Sequence, residues 1–260
     1  MNGVNDILLH FNLFLLVSMR TLAFVSASPL LSLNVWPVWA KIGFAFGLSY
    51  VVAPTITTTV PSMTTDPSGF IVDLVLQVMV GLVLGFIATM VFSVISVAGQ
   101  ITDLQIGFAS AQLLAPGSTA ALGLFGNLYN LLFTLYFLGM GGLDGMMLAI
   151  MHSFTVVPIG ALHLPANWPS FLLQLMGLVM SMAVELAAPL LTTLFLSDVT
   201  FAFLSRAVPQ MNVFVVGLPV KLFAGLAMFA VVMPGIVYLF NRIFFFLFNE
   251  LQSVLQLMGG

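Results

Sequence analysis

Residues 70–98 read FIVDLVLQVMVGLVLGFIATMVFSVISVA, a run of 29 residues in which Asp73 is the one charged side chain. A straight helix of this length extends about 44 Å, because each residue adds about 1.5 Å. That is longer than the hydrocarbon core of a bilayer, which is about 30 Å thick. Backbone groups in lipid must be paired within their own element, and the alternating pattern of barrel strands is missing. The run therefore predicts a long apolar helix in an all-α protein.

Apolar stretches of the same character lie on both sides of this run. They cover residues 7–27, 38–53, 122–150, 171–204, 213–240 and 243–258. Proline, glycine and hydroxyl residues separate them, most clearly in the loop at residues 54–69. We therefore expect about six to eight long apolar helices arranged as hairpins.

The composition excludes most soluble proteins. Of 260 residues, 61% are hydrophobic and 5% are charged, with a mean hydropathy of +1.20. A soluble domain is about 25% charged, and nucleic-acid binding depends largely on Lys and Arg. The chain has no cysteine, its three histidines lack metal-ligand spacing, and no nucleotide-binding or catalytic motif is present. We expect no enzymatic activity, no cofactor and no metal.

Charged residues inside apolar stretches are the first candidates for a functional role. Arg20, Asp103 and Glu185 are expected to be buried, and such charges usually face protein or water. They could form an ion or proton path, or they could form internal salt bridges or reach an interface from a helix end. The second interpretation is favoured because no two carboxylates have close helical spacing. The alternative function is a small proton-coupled secondary transporter using Asp73 or Glu185 with Arg20, although no symmetry between halves is visible.

Two GxxxG pairs predict close helix contacts. They are Gly43 with Gly47 and Gly81 with Gly85. Small residues at this spacing let two helix backbones approach. The contacts could lie within the chain or against other subunits, and the sequence leaves both open.

Residues 99–121 are apolar but rich in small and amide side chains, and they contain a Pro-Gly-Ser-Thr sequence. This composition suits a lipid-facing helix poorly. Non-helical backbone at membrane depth survives where protein or water surrounds it. The hypothesis is a plug or constriction inside a cavity, and the alternative is an exposed loop. The candidate plug residues are Gly107, Phe108, Gln112, Pro116, Gly117 and Ser118.

Residues 206–221 predict the tip of a helical hairpin. Pro209 and Asn212 favour a tight turn, and Arg206 can bond the carbonyls that end the preceding helix. A tip of this kind could dock neighbouring subunits. The residues of this motif are Arg206, Pro209, Gln210, Asn212, Val213, Phe214, Gly217, Pro219 and Lys221.

The spacing of this motif closely resembles the signature of the FliR family, the flagellar type III secretion export-gate proteins whose injectisome counterpart is SctT. Gly99-Gln100-x-x-Asp103-x-Gln105-x-Gly107-Phe108, followed by Pro116, resembles the central loop of that family. Arg20-x-x-x-Phe24 with Pro29 resembles its first helix, so the resemblance covers essentially the whole chain. Many members carry an acid just before the loop proline, where this chain has Ala115. A role of that acid in closing the pore is therefore in doubt here.

The resemblance implies a subunit of an export gate at the inner membrane, in the flagellar basal body, part of it at the periplasmic level. One such chain would join about five FliP and about four FliQ subunits and associate with FlhB and FlhA. Unfolded flagellar proteins would pass through the centre, and the loop at residues 107–118 would act as the plug. Residues 1–205 would resemble FliP, and residues 206–260 would form a FliQ-like hairpin.

Overall fold

The computed structural model describes residues 2–29, 37–56, 67–107, 123–162, 167–208 and 213–259. This part of the chain forms seven α-helices and no strand, which confirms the predicted all-α class and helix number. The helices are α1 (Asn2–Ala27), α2 (Val38–Val52), α3 (Pro67–Ile106), α4 (Leu124–Gly139), α5 (Gly142–Val156), α6 (Trp168–Ala207) and α7 (Val213–Gly259). A short 3-10 turn, Ala53–Thr55, follows α2.

Several helices are much longer than one membrane crossing requires. Helices α3 and α6 have 40 residues each and α7 has 47. At about 1.5 Å per residue these correspond to about 60 and 70 Å, roughly twice the hydrocarbon core. By length and composition, four helices of the described part could cross a membrane, or five if the bent pair α4–α5 counts as one span.

Left-handed glycines mark two helix ends. Gly107 follows α3 with a φ of 105°, and its N–H donates to the Leu104 carbonyl at 3.1 Å. Gly141, with a φ of 74°, separates α4 from α5. A glycine in this conformation ends the helical hydrogen-bond ladder without the strain that a side chain would add. The single stretch expected at residues 122–150 is therefore two helices.

The C-terminal region contains one helix where two stretches were expected. Residues 213–240 and 243–258 are joined in α7, because Asn241 and Arg242 are polar but do not interrupt a helix. The Asn241 amide oxygen accepts a hydrogen bond from the Tyr136 hydroxyl at 3.0 Å. Within residues 206–260, the described residues are the last residues of α6 and all of α7, and α6 is the antiparallel partner of α7.

The chain forms two compact units, each assembled from separate stretches. The first consists of Met1–Val91, Gly141–Leu172 and Phe245–Gly260. The second consists of Phe92–Met140 and Leu173–Phe244. The long helices α3, α6 and α7 contribute residues to both units.

In the first unit, α1 packs closely on α3 through the second GxxxG pair. A Cβ built on Gly81 would overlap the Arg20 carbonyl oxygen, and one on Gly85 would lie 2.5 Å from the Ala27 Cβ. Helix α2 joins α1 through the hydroxyls of Thr21 and Ser49, which are 2.6 Å apart. The Gly81 pair therefore serves packing within the chain.

In the second unit, the core is an aromatic stack built on α4. Its inner face repeats an aromatic residue every fourth position, and all four are buried: Phe125, Tyr129, Phe133 and Phe137. Phe92 of α3 lies 5.1 Å from the rings of two of them. Phe229 and Phe240 of α7 contact the same face at 5.2 Å. Edge-on ring pairs at these distances stabilise beyond simple burial.

Candidate functional site

Asp103 connects the two helices that flank residues 108–122. It is 7% exposed, and its carboxylate oxygens accept hydrogen bonds from the backbone amides of Phe125 at 3.0 Å and Gly126 at 2.8 Å. These amides belong to the first turn of α4, which has no intrahelical acceptor for them. A carboxylate at this position satisfies them and interacts favourably with the helix dipole. Asp103, near the end of α3, therefore caps α4.

Glycines make this arrangement possible. A Cβ built on Gly99 would overlap the Gly126 Cα, so α3 and α4 meet backbone to backbone at this point. A Cβ built on Gly123 would overlap the Asp103 carboxylate. The candidate plug segment is therefore attached at both ends to a close, glycine-dependent contact.

A second group of polar side chains lies at the end of α3, and we refer to Gln105, Asp198 and Lys221 as the Asp198 cluster. The Asp198 carboxylate pairs with the Lys221 ammonium and accepts a hydrogen bond from Gln105 Nε2 at 3.0 Å. Lys221 Nζ also lies 3.5 Å from the Gln105 carbonyl, one of the last carbonyls of α3. Three helices, α3, α6 and α7, meet in this cluster.

Arg20 is fully buried in the first unit and bonds to uncharged acceptors. Its Nε donates to Gln77 Oε1 at 2.7 Å, and Nη2 donates to the Val157 carbonyl at 2.9 Å. Its Nη1 donates to the Ser153 carbonyl at 2.8 Å and to the Ser153 hydroxyl at 3.1 Å. The guanidinium lies 4.1 Å from the centre of the Phe154 ring, a cation–π contact. Arg20 thus joins α1 and α3 to the end of α5.

The charged residues Arg20, Asp103 and Lys221 have one property in common, which is that each contacts the end of a helix. Arg20 and Lys221 lie at the carbonyl ends of α5 and α3, and Asp103 lies at the amide end of α4. Each sign complements the partial charge of the helix end that it contacts. The arrangement favours internal helix capping over an ion path for these charged residues.

Glu185 differs from the expectation of burial. Its side chain is 45% exposed in the isolated chain, and it pairs with Arg242 at 2.6 Å. The carboxylate lies on the outward side of α6, where its partner on α7 is also 44% exposed. The two charges of this pair compensate each other, although neither side chain is buried.

Most of the expected plug and hairpin residues fall outside the described residues. Gly107 is described, whereas Phe108, Gln112, Pro116, Gly117 and Ser118 are not. In the hairpin motif, Pro209, Gln210 and Asn212 lie in the connection between α6 and α7, outside the described part.

The rest of the hairpin motif is described. Arg206 is in the last turn of α6, and Val213 and Phe214 open α7. Gly217 is buried, Pro219 lies within α7, and Lys221 belongs to the Asp198 cluster. The two motifs of the sequence, around Gln105 and around Lys221, therefore meet in the structure.

Sequence reasoning did not select Asp198, Gln77 and Ser153 as site residues. Asp198 was visible as an isolated acid in an apolar stretch, and that was the available signal. Gln77 is a single amide in a long apolar helix, and the shorter of the two hydrogen bonds to Ser153 goes to its backbone carbonyl, which every residue has. Neither could be chosen from residue type.

The first GxxxG pair, Gly43 and Gly47, makes no close contact with another described helix, in contrast to the second pair, Gly81 and Gly85. Among the described residues, no heavy atom apart from the adjacent residues and the nearby backbone of α2 itself lies within 4 Å of a Cβ built on Gly43 or Gly47. The same side of α2 exposes Trp39, Phe46 and Tyr50. Packing within the described chain therefore accounts for one of the two pairs.

Comparison with known proteins identifies the family. The family described as "Bacterial export proteins, family 1" matches residues 11–247. The flagellar biosynthetic protein FliR of Escherichia coli (strain K12) is 30% identical over 246 residues, which is 94% of this chain and 93% of the relative. FliR of Bacillus subtilis (strain 168) is 30% identical over 262 aligned residues, which is 100% of this chain and 99% of the relative. The Yop proteins translocation protein T of Yersinia pestis is 36% identical over 151 residues, 56% of each chain. The chain therefore belongs to the FliR family of bacterial export proteins.

Proposed function

We propose that this chain is a membrane-embedded subunit of the flagellar type III export gate. It forms with FliP and FliQ a plugged channel for unfolded flagellar proteins, at the inner membrane within the flagellar basal body, and associates with FlhB and FlhA. The observation that carries the proposal is family membership with nearly full-length cover by flagellar relatives. The Yersinia relative covers 56% of the chain, which favours the flagellar assignment.

The surface of the chain supports assembly with other subunits. Many large apolar side chains are exposed in the described part, among them Trp39, Phe203 and Phe223, each at least 68% exposed. Apolar faces of this extent require lipid or protein cover. Helices about twice as long as the hydrocarbon core also favour packing against other subunits over contact with lipid alone.

The proposed plug is residues 107–118. Asp103 supports this assignment because it fixes the first turn of α4 against the end of α3. The two helix ends that flank the segment are therefore held together. The α6–α7 pair is the hairpin proposed to take the place of a FliQ subunit, and the earlier helices are the FliP-like part. Energy for transport comes from other components, since the sequence has no nucleotide-binding motif.

The transporter alternative is not favoured by the charge contacts. Arg20 bonds Gln77 and two carbonyls of the α5 end, and Glu185 pairs with Arg242. Both groups are thus engaged in contacts that link helices. Substrate-coupled proton uptake by the purified single chain would restore this alternative.

The first experiment is co-expression with the candidate FliP and FliQ partners, followed by native mass spectrometry. The expected result is one large species containing a single copy of this chain. A monomer or homodimer, with both partners present and folded, would contradict the proposal.

The plug is tested in the same complex by deleting residues 107–118. We expect a larger ion leak through the assembled gate, because the segment no longer fills the channel. A second variant replaces residues 108–118 with a glycine–serine segment of the same length. It shows whether the leak depends on the length of the segment or on its side chains. An unchanged leak in a correctly assembled deletion complex would remove residues 107–118 from the proposed plug.

A further inference from the structure

The Asp198 cluster is the polar link between the end of α3 and the α6–α7 hairpin. Asp198 binds a side chain of α3 and a side chain of α7 at the same time, through two different oxygens. Lys221 reaches the same end of α3 through the Gln105 carbonyl. All three contacts lie within the second unit, so the link is internal to one compact body.

The surroundings of the cluster are apolar. On α6, Phe195 lies one turn before Asp198 and is 60% exposed, and on α7, Leu218 lies one turn before Lys221 and is 38% exposed. The Lys221 side chain is 15% exposed and that of Asp198 is 39% exposed. When lipid or a neighbouring subunit covers this face, the attraction between the two charges becomes stronger, because less water screens it. Separating them there leaves a charge without a partner.

The second ion pair of the hairpin provides a direct comparison. Arg242 and Glu185 also join α6 to α7, at 2.6 Å, but their contact involves two helices and does not include α3. The Asp198 cluster therefore includes a contact with α3, whereas the Glu185–Arg242 pair does not. Its third member, Gln105, lies two residues before Gly107, where the proposed plug segment begins.

We propose that Asp198 is a positioning residue of the export channel: it holds the end of α3, where the plug segment begins, against the tip of the α6–α7 hairpin. The end of α3 and the hairpin then move together, and displacement of one displaces the other. The link itself stands on the contacts of the isolated chain. Its effect on transport rests on the proposed channel function.

The link is tested first in the isolated chain. The protein has no cysteine, so cysteines introduced at Leu104 and Val231 carry spin labels without background. These side chains are 62% and 74% exposed, and Val231 lies ten residues after Lys221, about 15 Å along α7. Pulsed electron paramagnetic resonance then measures the distance between α3 and α7.

The test variant is Asp198→Asn, which keeps a side-chain oxygen for Gln105 but removes the charge that pairs with Lys221. We expect the narrow distance peak to be lost and replaced by a broad distribution. Asp198→Glu should restore the narrow peak, because it keeps both the charge that pairs with Lys221 and the acceptor for Gln105. Glu185→Gln is the matched control, and it should leave this distance unchanged.

A distribution for Asp198→Asn that matches the Glu185→Gln control would overturn the proposal. If Asp198→Asn does not fold, Lys221→Met is measured in its place, because it removes the same pair and leaves the half-exposed carboxylate free to be solvated. A narrow peak in that variant overturns the proposal equally.

The effect on the channel is measured in the complex with FliP and FliQ. With complex recovery unchanged, Asp198→Asn should raise ion leak and Asp198→Glu should return it to the wild-type value. An altered distance without any change in leak would overturn the role in the channel. Failure of the wild-type chains to form a complex would instead count against the proposed function, and the distance result would still decide whether the link exists.

Discussion

Replacement of Arg20 by methionine should destabilise the first unit by several kcal/mol. Methionine fills a similar space but donates no hydrogen bond, so Gln77 Oε1 and the Val157 carbonyl lose the donor that Arg20 provides. The Ser153 carbonyl is affected less, because it also accepts from the Val157 N–H at 2.9 Å. A buried acceptor left without a partner costs about 1–3 kcal/mol, so two acceptors give about 2–6 kcal/mol.

This loss is large relative to the stability of a folded domain, which is about 5–15 kcal/mol. Arg20→Lys should have an intermediate effect, because a single ammonium keeps the charge but cannot reach acceptors on α3 and α5 together. Arg20→Ala should be the least stable, since it adds a cavity to the lost hydrogen bonds. The expected order of stability is wild type, then Lys, then Met, then Ala.

The assay is unfolding in dodecyl maltoside micelles by increasing fractions of sodium dodecyl sulfate, followed by near-ultraviolet circular dichroism. Arg242→Met is the matched control, because Arg242 is 44% exposed and makes one ion pair. A pair of that kind contributes about 1 kcal/mol or less. If Arg20→Met unfolds at the same detergent fraction as Arg242→Met, the buried hydrogen bonds of Arg20 contribute no more to stability than an exposed ion pair, contrary to the expectation.

Three further substitutions test the contacts on which the site depends. Gly81→Leu should destabilise the chain strongly, because its side chain would meet the backbone of α1, whereas Gly43→Leu should leave the isolated chain folded; the same micelle assay measures both. Gly123→Ala should displace the Asp103 carboxylate and increase hydrogen exchange at the first turn of α4, and unchanged exchange there would argue against the cap. Pro209→Ala with Asn212→Ala should reduce recovery of the complex with FliP and FliQ, and normal recovery would limit these residues to a local role.

The helices could be predicted from the sequence because hydropathy alone identifies them. The run at residues 70–98 falls within α3, and the prolines and glycines of the loops coincide with the breaks around it. Hydropathy did not place every break between helices. Asn241 and Arg242 resembled a break but continue α7, while Gly141, embedded in an apolar stretch, divides α4 from α5. Whether such residues end a helix depends on the contacts that their side chains and backbone make.

The partners of the charged residues could not be predicted from the sequence. Arg20 was recognised as a charge in an apolar stretch, but its acceptors are 57, 133 and 137 residues away. Two of them are backbone carbonyls, which residue type does not distinguish. The Asp198 cluster likewise brings together residues 93 and 116 positions apart. Such contacts follow from how the helices pack, and no local pattern encodes them.

The discontinuous first unit has a consequence for the order of synthesis. It includes residues 245–260, where Phe248 covers Gly145 and Gly259 lies against the Val156 carbonyl. Residues 1–91 leave the ribosome first, yet the unit that they begin cannot close until the last helical turns of α7 have been made. The second unit has all its residues once position 244 is reached. A stop codon or a bulky fusion near residue 245 would therefore damage the first unit, whose synthesis begins earliest. The second unit would still have all its residues.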